Sequence, residues 1–383
     1  MVIPRRRVAL FMEVSSAYDH GVARGIMRYA RTCGNWQLFG YGWSLSRIRD
    51  KRTWDGDGVI TRVHTPTEVP PLLALGVPIV DVCRASPHPR IHSAANDDEA
   101  TGRAAGDHML AAGHHRFAFC GAPEGAWSQR RFKGFSERIG IAQTAIPTLQ
   151  KQRDWWRRLE GPSAVVKQWL KQLERPTAIL ASDDAIGVQL TMACADLGLR
   201  VPEDIAIVGV DNEEVLCEFS NPTLTSIPCD TERMGYEAAA LLDTLMKTGD
   251  PGVAQHIAIP PLPIVVRGSS DSFATSDPAV LAALRLIHQH DHPVAHVPQV
   301  VAASGLSRRA LEQRFRKELQ RTIHDEIHRA RMHRACHLLL TSTIPVAKVA
   351  IRCGFSSPQR FHAVFSRDFG ISASEYREQQ RVV

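Results

Sequence analysis

The sequence predicts an α/β region of two doubly wound parallel sheets, followed by an all-α domain made of two helix-turn-helix units. Three observations carry this reading. Across residues 4–267, short apolar runs alternate with helical patterns. The charge then changes abruptly: up to Asp277 the chain is net −2, and from Pro278 onward 16 Lys and Arg stand against 8 Asp and Glu. Finally, a stretch of the tail repeats itself after about 50 residues. At 383 residues there is room for at least two domains.

The front region comes first. VALFMEV (8–14), WQLFGY (36–41), DGVI (57–60), PIVDV (78–82), RFAFCG (116–121), TAILAS (177–182) and IAIVGVD (205–211) read as strands. YDHGVARGIMRYART (18–32) reads as a helix with Val22, Ile26 and Tyr29 on one face. Strands that are apolar throughout and joined by helices form parallel sheets buried on both faces. There are enough for two lobes with a cleft, and ligands in such sheets bind beyond the carboxyl ends of the strands. The N-terminus, MVIPRRRVALFMEVSS, places basic residues before an apolar run, as a signal peptide does. The run stops at Glu13 without a small-residue cleavage site, so it reads as a first strand in a cytoplasmic protein. No apolar run approaches the ~18 residues of a membrane span. Eight single cysteines without a CxxC pair read as reduced, buried thiols.

RGSSDSFATSD (267–277) is short, polar and rich in Ser, Gly and Asp. It sets the expected organisation: a ligand-sensing domain over 1–267, a linker over 268–277 and a basic domain over 278–383. A basic block on a folded domain is an electrostatic footprint for a polyanion. PAVLAALRLIHQH (278–290) opens that domain as an amphipathic helix with Val280, Leu281, Leu284 and Ile287 on its face.

The repeat pairs GLSRRALEQRFRKEL (305–319) with GFSSPQRFHAVFSRDF (354–369). With one insertion, Leu311 matches Phe361, Phe315 matches Phe365, Lys317 matches Arg367 and Leu319 matches Phe369. A short helix precedes each copy, VPQVVAAS and IPVAKVAIRC, and Gly305 and Gly354 mark the turns. Ser307 caps the first following helix, and Ser356 or Ser357 the second, with Pro358 in its first turn. The i,i+4 apolar pairs face inward. Arg308, Arg309, Glu312, Gln313 and Arg316 are then left outward in the first copy. In the second, Ser357, Gln359, Arg360, His362, Ala363 and Ser366 are the candidates. These are helix-turn-helix units whose second helices offer side chains to the major groove of double-stranded DNA. Arg pairs with guanine and Gln with adenine, while Lys317 and Arg367 suit phosphates.

On these residues the last hundred positions resemble the AraC-type transcriptional regulators. HDEIHRARMHRACHLLL (324–340) resembles their connecting helix, and the GFS…F…F-R-FG run followed by EYR (375–377) their second-unit signature. Ala373 stands where that family usually has Pro, which is expected to loosen the start of the last short helix. In the front region, LGLRVPEDIAIVGVDN (197–212), RRFKGF (130–135) and AGHHRFAFCG (112–121) resemble the LacI/GalR-type sugar-binding domain. That resemblance implies a two-lobed type I periplasmic-binding-protein-like fold. The combination resembles the xylose operon regulators, on AYD (17–19), GDGVI (56–60), RFAF (116–119), VDNEE (210–214), MGYEAA (234–239) and SDPAV (276–280). The resemblance implies a cytoplasmic homodimer that binds an operator, responds to D-xylose, activates pentose catabolism genes and engages RNA polymerase.

Sugar hydroxyls both donate and accept, so carboxylates and arginine suit them, with an aromatic ring over the C–H face. The candidate polar contacts are Asp97, Arg131, Asp183 and Asp211, and the candidate ring faces are Tyr18 and Trp127. For an Asp at a strand end the competing role is a helix cap or surface turn, and for a lone Trp it is the core. ASDDAIGVQ (181–189) and ANDDEA (95–100) depart from the xylose-regulator pattern, which leaves another sugar open.

Other functions find less support. HQHDH (288–292) and the pair His333 and His337 lack the Cys or carboxylate that completes a metal set. No G-x-G-x-x-G, P-loop or nucleophile elbow follows the first strand. An enzyme, a metal and a cofactor are therefore not expected. The rival reading is a sugar-binding receptor without a DNA function.

Overall fold

The computed structural model describes residues 5–12, 16–33, 35–40, 54–123, 125–150, 163–249, 253–271, 275, 277–288, 294–319 and 321–380. The expected end of the first strand at Glu13 and Val14, Tyr41, HQHDH beyond His288, and the side chains of His333 and His337 lie outside the described residues. Contacts divide the chain into two compact units. One is Met1–His108 with Arg116–Ser272, the other Met109–His115 with Phe273–Val383.

The first unit holds two sheets whose paired strands all run parallel. β1 (Arg6–Phe11), β2 (Trp36–Phe39), β3 (Gly58–Thr61), β4 (Ile79–Asp81), β5 (His92–Asn96) and β11 (His256–Ile259) lie in the order β11-β5-β4-β3-β1-β2. β6 (Phe117–Gly121), β7 (Thr148–Gln150), β8 (Thr177–Ala181), β9 (Ile205–Asp211) and β10 (Thr225–Pro228) lie as β10-β9-β8-β6-β7. Each lobe thus repeats one doubly wound order, reversing beside its first strand, which opens a crevice at the carboxyl ends. The chain crosses between lobes after β5, and β11 returns to the first sheet after β10.

Seven of these strands follow the expected apolar runs. β5 (HSAAN), β7 (TLQ), β10 (TSIP) and β11 (HIAI) do not. They are short and mostly lack a continuous apolar run, and their neighbours rather than their own patterns place them.

Helices cover the sheets. α1 (Ala17–Thr32) buries Val22, Ile26 and Tyr29, the face its periodicity gives. Ser16 caps it by accepting from the Asp19 N–H at 3.3 Å. α2 (Val69–Leu73), α3 (Asp98–Ala111), α4 (Ala126–Ile139), α5 (Ala164–Gln172), α6 (Asp184–Asp196), α7 (Glu214–Phe219) and α8 (Thr231–Thr248) complete the set. Of the eight cysteines, Cys120, Cys194, Cys217, Cys229 and Cys353 are buried and unpaired, whereas Cys33 is exposed.

In the second unit, α9 (Pro278–Ile287), α10 (Val297–Ser304), α11 (Arg308–Leu319), α12 (Ile323–Thr341), α13 (Val346–Arg352), α14 (Pro358–Phe369) and α15 (Ala373–Gln380) form two small cores. α12 serves both: Ile323, Ile327 and Ala330 enter the first core, and Met332, Ala335 and Leu339 the second. At ~1.5 Å per residue this helix spans about 28 Å. The loosening expected at Ala373 is not seen. Ser372 and Glu375 cap α15 reciprocally, with Ser372 N–H donating to Glu375 Oε2 at 2.7 Å and Glu375 N–H to Ser372 Oγ at 3.1 Å.

Candidate ligand cleft and nucleic-acid interface

The cleft is built from the crossing of α3 and α4. Gly102 and Gly134 let the two backbones touch. A Cβ at Gly102 would stand 2.0 Å from the Arg131 carbonyl oxygen, and one at Gly134 2.0 Å from that of Glu99. This approach sets the Arg131 guanidinium against the first carboxylate of α3. Arg131 Nε donates to Asp98 Oδ1 at 3.1 Å, Nη1 to the Ser182 carbonyl at 2.5 Å, and Nη2 to Asp211 Oδ1 at 3.2 Å. Arg130 adds two bonds to Asp98 Oδ2 at 3.0 and 2.8 Å. Burial opposes the charge on Arg131, but Asp211 and Asp98 outweigh it and raise its pKa. The guanidinium also lies over the Trp127 ring, 5.0 Å from its centroid. Its donors and plane are therefore fixed before any ligand arrives.

Asp211 ends β9 with φ 102°, and Asn212 follows with φ 50°. Its carboxylate also accepts from Cys229 Sγ at 3.3 Å. Asp183 caps α6, its Oδ1 accepting from the Ile186 N–H at 2.9 Å. Asp97 does the same for α3, accepting from the Ala100 N–H at 2.8 Å. Both stand at carboxyl ends of strands while carrying out the capping role that competes with ligand contact.

The first lobe presents a parallel arrangement. Tyr18 donates its hydroxyl to the Val82 carbonyl at 2.9 Å, and the Arg62 guanidinium lies over its ring at 4.5 Å. Arg62 Nη1 pairs with the buried Asp19 carboxylate at 2.7 Å, while its Nε has no hydrogen-bond partner among the described residues. Burial raises the Tyr18 phenol pKa, followed by Cys83 and, from the other lobe, Cys229 and Asp211, while Arg62 opposes the shift. Each lobe thus offers a guanidinium stacked on an aromatic ring and backed by a buried carboxylate.

The structure joins Arg131, Trp127 and Asp211 by direct contact. Sequence reasoning missed Asp98, Arg62 and Cys229. The only signal for Asp98 was the doubled acid of ANDDEA. Arg62 follows the strand GVIT and could be found by its place at a carboxyl end.

In the second unit, α11 and α14 have equal length and bury matching residues: Leu311 and Phe315 in one, Phe361 and Phe365 in the other. Ser307 Oγ accepts from the Ala310 N–H at 3.3 Å, and Ser357 Oγ from the Arg360 N–H at 3.2 Å. Gly354, with φ 81°, makes the second turn, and a Cβ there would stand 2.8 Å from the Val294 carbonyl oxygen. Arg308, Arg309, Gln313, Arg316 and Lys317 are exposed on α11. Glu312 is half-buried, and its Oε2 accepts from the Ile323 N–H at 3.4 Å, at the start of α12. On α14, Gln359, Arg360, His362 and Ala363 are exposed, Ser357 and Ser366 half-buried, and Arg367 pairs with Asp368 at 2.9 Å.

Comparison with known proteins agrees with this architecture. A periplasmic binding protein-like domain model matches residues 106–270, and a helix-turn-helix domain model matches 300–379. The chain is 31% identical to the xylose operon regulatory protein of Escherichia coli K12, covering 99% of this chain and 98% of that protein. It is also 31% identical to the protein of that name in Haemophilus influenzae, covering 97% and 98%. Among solved structures, a xylose-binding transcription activator, xylR, superposes with TM-score 0.61 and 30% identity over 99% of both chains.

Proposed function

The chain belongs to the family of xylose operon regulatory proteins, sugar-responsive DNA-binding transcription regulators that are not enzymes, and we propose that its own effector is D-xylose. The sugar binds in the cleft at the carboxyl ends of the two sheets. Arg131 and Asp211 grip adjacent hydroxyls, Asp97 and Asp183 bond from strand ends, and Trp127 and Tyr18 bound the C–H faces.

The observation that supports this reading is the Arg131 guanidinium, buried yet held by Asp98 and Asp211 on a fixed ring. Donors and acceptors alternate around it, as a polyol requires.

Response follows by population shift: sugar favours the closed form of the lobes and so changes how a homodimer presents its readers. Residues 1–267 sense, 268–277 link and 278–383 read DNA. α11 and α14 enter successive major-groove faces of the operator. The protein acts in the cytoplasm, activates pentose catabolism genes and engages RNA polymerase. A receptor without DNA function has no use for two helix-turn-helix units on one shared helix. Among the described residues no helix is long and apolar enough to cross a membrane.

The test is calorimetric titration of the full chain with D-xylose beside L-arabinose, D-ribose and D-glucose, paired with operator affinity with and without sugar. Preference for xylose and a sugar-dependent change in operator binding support the reading. Preference for another sugar keeps the regulator and replaces the effector.

A further inference from the structure

The second acid of ASDDAIGVQ turns away from Arg131. Asp184 is 1% exposed, and both its oxygens are engaged by β10 and by the turn after β9. Oδ1 accepts from Ser226 Oγ at 2.6 Å, and Oδ2 from the Glu213 N–H at 2.7 Å. Ser226 Oγ accepts in turn from the Asn212 N–H at 2.9 Å. One buried carboxylate therefore holds two successive amides, one directly and one through a hydroxyl.

Those amides belong to a turn that needs holding. Asp211 and Asn212 have φ 102° and 50°, values that few non-glycine residues adopt. β9 is also shaped around the carboxylate, since a Cβ at Gly209 would stand 2.2 Å from Asp184 Oδ1. The turn delivers two carboxylates to the cleft. Asp211 meets Arg131 at 3.2 Å, and Glu213 Oε2 accepts from the Ala17 N–H, at the start of α1 in the other lobe, at 2.9 Å.

We propose that Asp184 is a positioning residue of the ligand cleft. It locks the 211–213 turn, and through it sets both the Asp211 carboxylate beside Arg131 and the bridge from Glu213 to the first lobe. Burial pushes the Asp184 carboxyl well above the usual carboxylate range, with Asp211 and Asp183 adding to the effect. An acid kept in so unfavourable a place serves the turn it bonds. The inference rests on the reading of this cleft as the sugar site.

Two variants of the full chain test it, Asp184→Asn, which keeps one good acceptor, and Asp184→Ala, which keeps none. Thermal unfolding, D-xylose calorimetry, and hydrogen exchange of the Asn212 and Glu213 amides in ligand-free protein are measured on each. The expected result is faster exchange at both amides and D-xylose affinity lowered roughly tenfold or more in the folded protein, with Ala worse than Asn. Lowered melting temperature with unchanged affinity would make Asp184 merely structural and overturn the proposal. Unchanged exchange at both amides would overturn it as well. If the wild-type chain does not bind D-xylose, the effector assignment fails, and the exchange measurement alone decides the role of Asp184.

Discussion

Gly102 lies so close to Arg131 that a Cβ there would stand 2.0 Å from its carbonyl oxygen. The contact is backbone against backbone, so no side chain can swing aside to admit the new atom. Gly102→Val must therefore separate α3 from α4, and with them Asp98 from the Arg131 guanidinium. Overpacking of this kind costs about 1–3 kcal/mol. The expected outcome is a lower urea midpoint together with weaker D-xylose binding. A variant that loses stability but binds as before would show that the crossing does not set the cleft.

Asp211→Asn should keep the fold, because Asn tolerates the positive φ found there. It removes the charge that Arg131 Nη2 and Cys229 Sγ address. Losing a hydrogen bond to a charged group costs about 1.5–3 kcal/mol, or roughly ten- to a hundredfold in affinity. Calorimetry should show that loss for D-xylose while sugar-free operator affinity stays the same. A normal titration removes Asp211 from the site.

His114 gives the protein an acid weakness. It is 1% exposed, and neither ring nitrogen has a hydrogen-bond partner among the described residues. Burial, with a smaller push from His115, lowers its pKa from 6.5 to about 4. The folded state therefore holds the neutral ring, and this contribution to stability is complete above pH 6.5. It is lost as pH falls toward 4, a change of about 3 kcal/mol. Asp81, pushed up to about 6 by burial, titrates in the opposite sense over much of this range. The check is thus a difference: His114→Leu should gain on the wild type in chemical unfolding at pH 5 relative to pH 7.5. A constant difference would refute it.

The two-lobed sheet pattern was legible because central parallel strands are apolar throughout. VALF, TAIL and IAIVGV announce themselves by composition. HSAAN and TSIP do not, and pairing with β4 and β11 in the one case and β9 in the other makes them strands. Arg131 and Asp211 were singled out as candidates by motif position, whereas Asp98, which bonds Arg131, was passed over for its neighbour Asp97. Which of two adjacent acids caps a helix and which meets an arginine depends on the angle between α3 and α4. Gly102 and Gly134 permit the close approach of the two helices, and Gly134 lies on the other helix, where the acid pattern gives no sign of it. The two DNA-reading units were easier, since Leu311 with Phe315 and Phe361 with Phe365 repeat one local period.

One experiment separates two roles proposed for exposed cations of α11. Arg309 lies in the first turn, where a recognition helix points into the groove. Lys317 lies in the last turn, suited to the phosphate backbone. Arg309→Ala should weaken binding to the operator by about 1–3 kcal/mol and change binding to unrelated DNA much less. Lys317→Ala should weaken both alike and lower the dependence of log affinity on log salt by about one. Arg314, also on α11, pairs with Asp277 at 2.9 Å and serves as the control. Its replacement by Ala removes a surface ion pair, worth under ~1 kcal/mol, and should leave the operator preference intact. Electrophoretic mobility shift over a salt series, with operator and scrambled duplexes, reads all three. An equal loss on both duplexes for Arg309→Ala would move that residue from the bases to the backbone.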